Sequence, residues 1–177
     1  VDEFTQIGDM FGLHSLLLED ILHTNHLPSF IESEDYSAII LKSFIVGNDG
    51  ELKENQVAIV IRDNTVILFQ ETSNEILRNK IERIRQGKGR ARKLKADYLF
   101  YIILDSFVDT YYLSFDELNN NVLSLEEKLL AETNNNLIGE IHLLKSKLNN
   151  IRRILFPLKE SVKEMLNGEV DFIKTQN

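Results

Sequence analysis

The 177-residue sequence predicts an α+β fold: a mostly antiparallel sheet sandwiched by helices (α/β/α), followed by a long antiparallel helical hairpin and a final helix cut short. Three observations carry this. Runs rich in Ile, Val and Leu at 36–46, 56–62 and 65–70 are separated by turn-forming residues. Residues 92–131 contain neither Gly nor Pro, so nothing local interrupts a helix of about forty residues, roughly 60 Å long. A repeat alternating steps of four and three then runs from Leu137 to Met165, the signature of a coiled-coil-like seam.

In chain order, residues 5–24 read as a short helical turn, a break at Gly12, and a helix through Leu16, Leu17, Leu18, Ile21 and Leu22 that ends before Pro28. The strand runs YSAIILKSFIV and VAIVI are nearly continuous in apolar residues. Both faces of those strands must therefore be covered, which calls for helices on each side. Asn48-Asp49-Gly50 and Asp63-Asn64 tolerate the positive φ of tight hairpin turns, giving an antiparallel meander. Residues 73–86 form an amphipathic helix with Ser73 or Asn74 as N-cap, ended by Gly87.

The long stretch after it carries an apolar stripe through Leu94, Tyr98, Tyr101, Val108, Tyr112 and Phe115, in which position 105 is an aspartate. An aspartate buried in such a stripe finds a cationic or hydrogen-bonding partner or costs several kcal/mol. Asp109 lies one turn further along the same face. The polar break 132–136 reverses the chain into the helix of the four-three repeat, which Pro157 interrupts and Gly168 ends. The organisation expected is thus a sheet part at 1–90, a helical hairpin packed on it in the same domain at 91–167, and a truncated helix at 168–177.

Composition excludes several classes. A net charge of −8 argues against nucleic-acid binding and fits a protein that meets cations. The absence of cysteine excludes disulfides, thiolate zinc sites and cysteine nucleophiles. Neither a nucleophile beside a base nor a phosphate-binding glycine loop is present, so no enzyme is expected. Asp20, His23 and His26 recur at spacings of three and form one candidate metal set, although histidines at a helix C-terminus are common without metal. Glu19-Asp20 reads either as the solvated edge of a helix or as a ligand pair. Hard cations such as Mg²⁺ prefer carboxylate oxygens, keep several waters and need one or two direct protein ligands, which suits sparse acids on helix faces.

The segments IGDMFGLHSLLLEDIL, YSAIILKSF, NQVAIVIRDNTVILFQE, GKGRARKLKADYLFYIILDSFVDTYY and LKSKLNNIRRILFPLKESV, in this order across 5–166, resemble the cytoplasmic part of the CorA family of divalent-cation transporters and channels. The resemblance implies an α/β/α sandwich, a stalk helix of which 168–177 is the truncated start, membrane spans beyond Asn177, and a homopentamer at the cytoplasmic face of the cell membrane that conducts Mg²⁺ and often Co²⁺. It further implies regulatory cation sites between subunits, with Glu19 and Asp20 on one side, Asp105 on the other and Asp109 beside it. A further ligand on the stalk has no counterpart here, so any such site is expected to be incomplete. Two other readings stay open: a ZntB-like zinc transporter domain, and a helical scaffold or adaptor whose acids are merely solvated.

Overall fold

The computed structural model describes residues 2–46, 52–73, 75–86, 95–130 and 137–167. The N-terminal segment forms α1 (Asp2–Phe11) and α2 (Ser15–Leu22). Gly12 between them has φ +58°, a left-handed conformation that is inexpensive only without a Cβ. A Cβ there would also run into the guanidinium of Arg62, which donates to the Phe11 carbonyl. The break at Gly12 therefore has a conformational and a steric cause. Helix α2 is capped by His14, whose Nδ1 accepts from the Leu16 amide at 3.2 Å.

Four strands follow: β1 (Ser29–Glu32), β2 (Ser37–Val46), β3 (Leu52–Arg62) and β4 (Thr65–Gln70). They pair antiparallel in the order β1-β2-β3-β4. Strand β1 has only the pattern SFIE after a proline, too short to announce itself in sequence, and it is recruited by pairing with Ser37–Ile40. Strand β3 begins at Leu52 rather than Gln56 because the long β2 offers partners as far as Val46. At the β3–β4 turn Asp63 takes φ 50°, as its turn chemistry predicts; the turn expected at 48–50 lies outside the described residues.

The sheet is covered on both faces. Ile39, Leu41, Val57, Ile59 and Ile61 join a core with α3 (Glu75–Arg85), α4 (Ala96–Val108), α5 (Thr110–Leu130) and α6 (Leu137–Asn167). The alternate residues Ala38, Ile40, Ala58 and Val60 pack with Leu13, Leu17 and Ile21 from the N-terminal segment. Period-two alternation therefore feeds two separate cores, and the α/β/α arrangement follows from it.

Two expectations for the long helix are corrected. It is not continuous from 92 to 131: its described part starts at Ala96 and is divided at Asp109 into α4 and α5. Thr110 Oγ1 donates to the Phe107 carbonyl at 2.6 Å and accepts from the Phe44 amide of β2 at 2.9 Å, while Tyr112 N reaches back to Asp109 O at 3.2 Å. A side chain tied to the sheet thus tightens one turn. Asp109 keeps right-handed dihedrals of −56° and −28°, so the junction is a local tightening rather than a reversal.

The stripe also faces the other way. Phe100, Ile103, Leu104, Phe107 and Tyr111 are buried, whereas Tyr101 is 58% and Tyr112 69% exposed, and Val108 and Phe115 are exposed as well. A helix apolar around most of its circumference, as LFYIIL makes this one, offers two stripes, and periodicity alone cannot choose between them. Asp105 lies on the exposed one.

Helices α5 and α6 form the antiparallel hairpin, cross-linked by Lys147–Glu117 and Lys128–Glu140, each 2.6 Å. Helix α6 runs through Pro157 as one element. Only its C-terminal half meets the sheet core, through Ile154, Leu158 and Met165, while Ile141 and Leu148 are exposed. The N-terminal half of α6 thus contributes no residue to the buried sheet core. The expected helix at 168–177 lies outside the described residues.

Candidate cation site

Asp105 in the last turn of α4 and Asp109 at the junction converge on a single cation. Lys80 Nζ, from α3, lies 3.1 Å from Asp109 Oδ2 and 3.6 Å from Asp105 Oδ2. Both carboxylates are 48% exposed, and the lysine side chain is 31% exposed. Asp105 thus meets a cationic partner and stands at the surface, so the cost of a buried charge does not arise. Helix α3 brings Lys80 there because Leu77 and Ile81, on the same helix face, dock into the core beside α4.

Glu19 and Asp20 sit on α2. Asp20 Oδ1 lies 3.6 Å from His26 Nε2, while His23 is the C-cap residue, its amide donating to the Glu19 carbonyl at 2.9 Å. The Asp20/His23/His26 set therefore resolves into one acid–imidazole contact and a helix end. Among the described residues no group of three or more His, Cys, Asp or Glu side chains could hold a metal ion. Because α2 packs on one face of the sheet and α4 on the other, a single chain keeps its Glu19-Asp20 and Asp105-Asp109 pairs apart.

What holds the α2 pair in place was not among the sequence candidates. Gln56 Nε2 donates to the carbonyls of Asp20, Ile21 and His23 at 3.1, 2.9 and 3.1 Å. Its Oε1 accepts from Lys42 Nζ at 2.8 Å, and that ammonium also donates to the Thr24 carbonyl. The orphan carbonyls of the helix C-terminus are thereby satisfied from the sheet. Burial pushes the Lys42 pKa down; Glu54 and Glu71 oppose the shift and Arg153 adds to it. The backbone of the same residue reaches the opposite core, where the Tyr111 hydroxyl donates to the Lys42 carbonyl. Burial, with a contribution from Glu54, raises the Tyr111 pKa. The available signal was a lone polar residue inside an apolar strand, Lys42 in IILKSF and Gln56 ahead of VAIVI; Lys80 likewise interrupts an apolar helix face.

No helix among the described residues is long and apolar enough to cross a membrane. Residues 2–177 match the model of the family described as CorA-like Mg²⁺ transporter protein. Over 160 residues the chain is 35% identical to the cobalt/magnesium transport protein CorA of Thermotoga maritima, covering 90% of this chain and 46% of that one. It is 22% identical to the putative metal ion transporter YfjQ of Bacillus subtilis, covering 98% of this chain and 53% of the relative. The chain thus spans about half the length of these relatives. The soluble domain of CorA from Methanocaldococcus jannaschii shares the fold, with a TM-score of 0.75 at 18% identity over 98% of this chain and 69% of that one. The ZntB cytoplasmic domain from Vibrio parahaemolyticus does so with a TM-score of 0.72 at 13% identity, over 90% and 63%. The match along the whole described fold and the 35% identity carry one conclusion: the chain belongs to the CorA-like Mg²⁺ transporter family.

Proposed function

We propose that this chain is the regulatory part of a CorA-type Mg²⁺/Co²⁺ transport protein at the cytoplasmic face of the membrane. It senses divalent cation through sites shared between neighbouring subunits of a homopentamer. The observation that carries the proposal is the placement of two acidic pairs on opposite faces of one sheet, one of them already converging on a cation. Each pair is too small to enclose an ion within its own chain. A neighbour's Glu19-Asp20 set against Asp105-Asp109 would supply the one or two carboxylates that hydrated Mg²⁺ takes directly, with water filling the rest of its shell. The exposed residues Tyr101, Val108, Tyr112 and Phe115 flank Asp105 on the same face and support a subunit contact there.

The physical logic is electrostatic. Two carboxylates about 4 Å apart repel by about 4 kcal/mol at an effective dielectric near 20, less once salt and exposure screen them. Without a divalent cation such an interface is disfavoured; with one it is held together. Cation that binds the closed arrangement better than the open one then shifts the equilibrium between them. The test is Mg²⁺ sensitivity of transport in full-length protein bearing Asp20→Asn or Asp105→Asn. Each variant is expected to stay active at internal Mg²⁺ levels that shut the parent, and unchanged sensitivity in both would sink the assignment.

A further inference from the structure

We propose that Lys80 is a built-in counter-ion that competes with the divalent cation for Asp105 and Asp109 and so sets the concentration at which the site responds. The proposal rests on the cation-sensing reading above and adds the residue that tunes it.

Three features carry it. The ammonium lies within ion-pair distance of one oxygen on each carboxylate, 3.1 and 3.6 Å. A divalent ion bridging the same two aspartates would sit next to that ammonium, and the two cations repel, so each holds the carboxylates at the other's expense. The lysine is also held in place: its helix is anchored through Leu77 and Ile81 in the core, and its side chain is two-thirds covered, at 31% exposure. It is a tethered cation at high local concentration rather than a solvated one sweeping past. Finally, the carboxylates themselves are half exposed, open to an ion arriving from solvent.

The consequence is an exchange rather than a simple neutralisation. With Lys80 in place the α4 side carries a net single negative charge, enough to repel the two acids of a neighbouring α2 yet less than two bare aspartates would carry. Mg²⁺ then has to displace the ammonium, which moves its response to higher concentration.

The test uses full-length protein, with MgCl₂ as the only divalent salt and Mg²⁺-dependent protection from proteolysis as readout. The midpoint is measured for the parent, Lys80→Met, Lys80→Gln and Lys80→Arg. Methionine keeps the apolar stem beside Leu77 and Ile81 and removes the charge; glutamine provides a second charge-free variant should one fold poorly. Removal of two partly exposed ion pairs is expected to lower the midpoint about fivefold, in both charge-free variants and not in Lys80→Arg. A midpoint that stays put or rises in the charge-free variants, beside a responsive parent, overturns the role of Lys80 and leaves the sensing reading standing. An equal shift in Lys80→Arg also overturns it, since packing rather than charge would then be at work. A parent with no Mg²⁺ midpoint removes the sensing reading, and this inference with it.

Discussion

Replacing Gln56 by leucine removes the group that closes the C-terminus of α2. Its amide nitrogen serves the carbonyls of Asp20, Ile21 and His23, and its oxygen receives the Lys42 ammonium. Two amide hydrogens shared among three acceptors are worth less than three full bonds, so their loss costs about 2 kcal/mol at roughly 1 kcal/mol each. The Lys42 ammonium keeps the Thr24 carbonyl but loses its side-chain acceptor in a buried setting, which adds about 1 kcal/mol. A total of about 3 kcal/mol corresponds to a drop in Tm of roughly 6–12 °C for a chain of this size. Urea titration of parent and Gln56→Leu, followed by far-UV circular dichroism, should show a lower midpoint at unchanged slope. A loss below about 0.5 kcal/mol, the range of an ordinary surface substitution, would refute the idea that Gln56 fastens α2 to the sheet.

Tyr111→Phe should lower stability at pH 7 by about 1 kcal/mol through loss of the bond to the Lys42 carbonyl. Because the folded Tyr111 pKa is raised, the unfolded chain sheds that proton first and stability falls as pH climbs above the ordinary tyrosine value near 10; the phenylalanine variant should show a shallower alkaline decline in denaturant titrations. Lys42 acts in the opposite sense, since its lowered folded pKa makes its contribution rise with pH up to the unfolded value near 10.4. Gly12→Ala should cost about 1–2 kcal/mol by thermal melting, from the positive φ and the crowding of Arg62 together.

The two-sided sheet was legible because runs such as YSAIILKSFIV leave no polar face to expose. The hairpin was legible from the polar break at 132–136 between two helical stretches, but its seam was not: of the four-three repeat, Ile141 and Leu148 are exposed while Leu158 and Met165 pack into the sheet core. Strand β1 was not, since four residues after a proline gain strand character only from their partner. The orientation of α4 escaped for the opposite reason: with apolar residues around most of the helix, the buried face is the one that Phe100, Ile103, Leu104 and Phe107 pack against the sheet, and Thr110 at the start of α5 ties the junction to Phe44. The acidic residues were visible as a dipeptide and as an aspartate in an apolar stripe. Lys80, the partner of Asp105, lies 25 residues away, and Gln56, which holds the Asp20 carbonyl, comes from the sheet; each shows in the sequence only as a lone polar residue among apolar ones, with nothing local to say which group it meets. The resemblance to the CorA family supplied the link between the two acidic pairs, which no spacing in the chain could.

That link is best tested with mixed assemblies. Full-length Asp20→Asn and Asp105→Asn subunits, each expected to be Mg²⁺-insensitive alone, can be co-expressed in equal amounts and the mixed oligomers purified through distinct tags. In a ring of head-to-tail contacts, about a quarter of the interfaces then pair an intact Asp20 with an intact Asp105, whereas no single subunit retains both. The account predicts partial recovery of Mg²⁺-dependent protection from proteolysis in the mixture; protection no greater than in either pure variant would contradict a site shared between subunits.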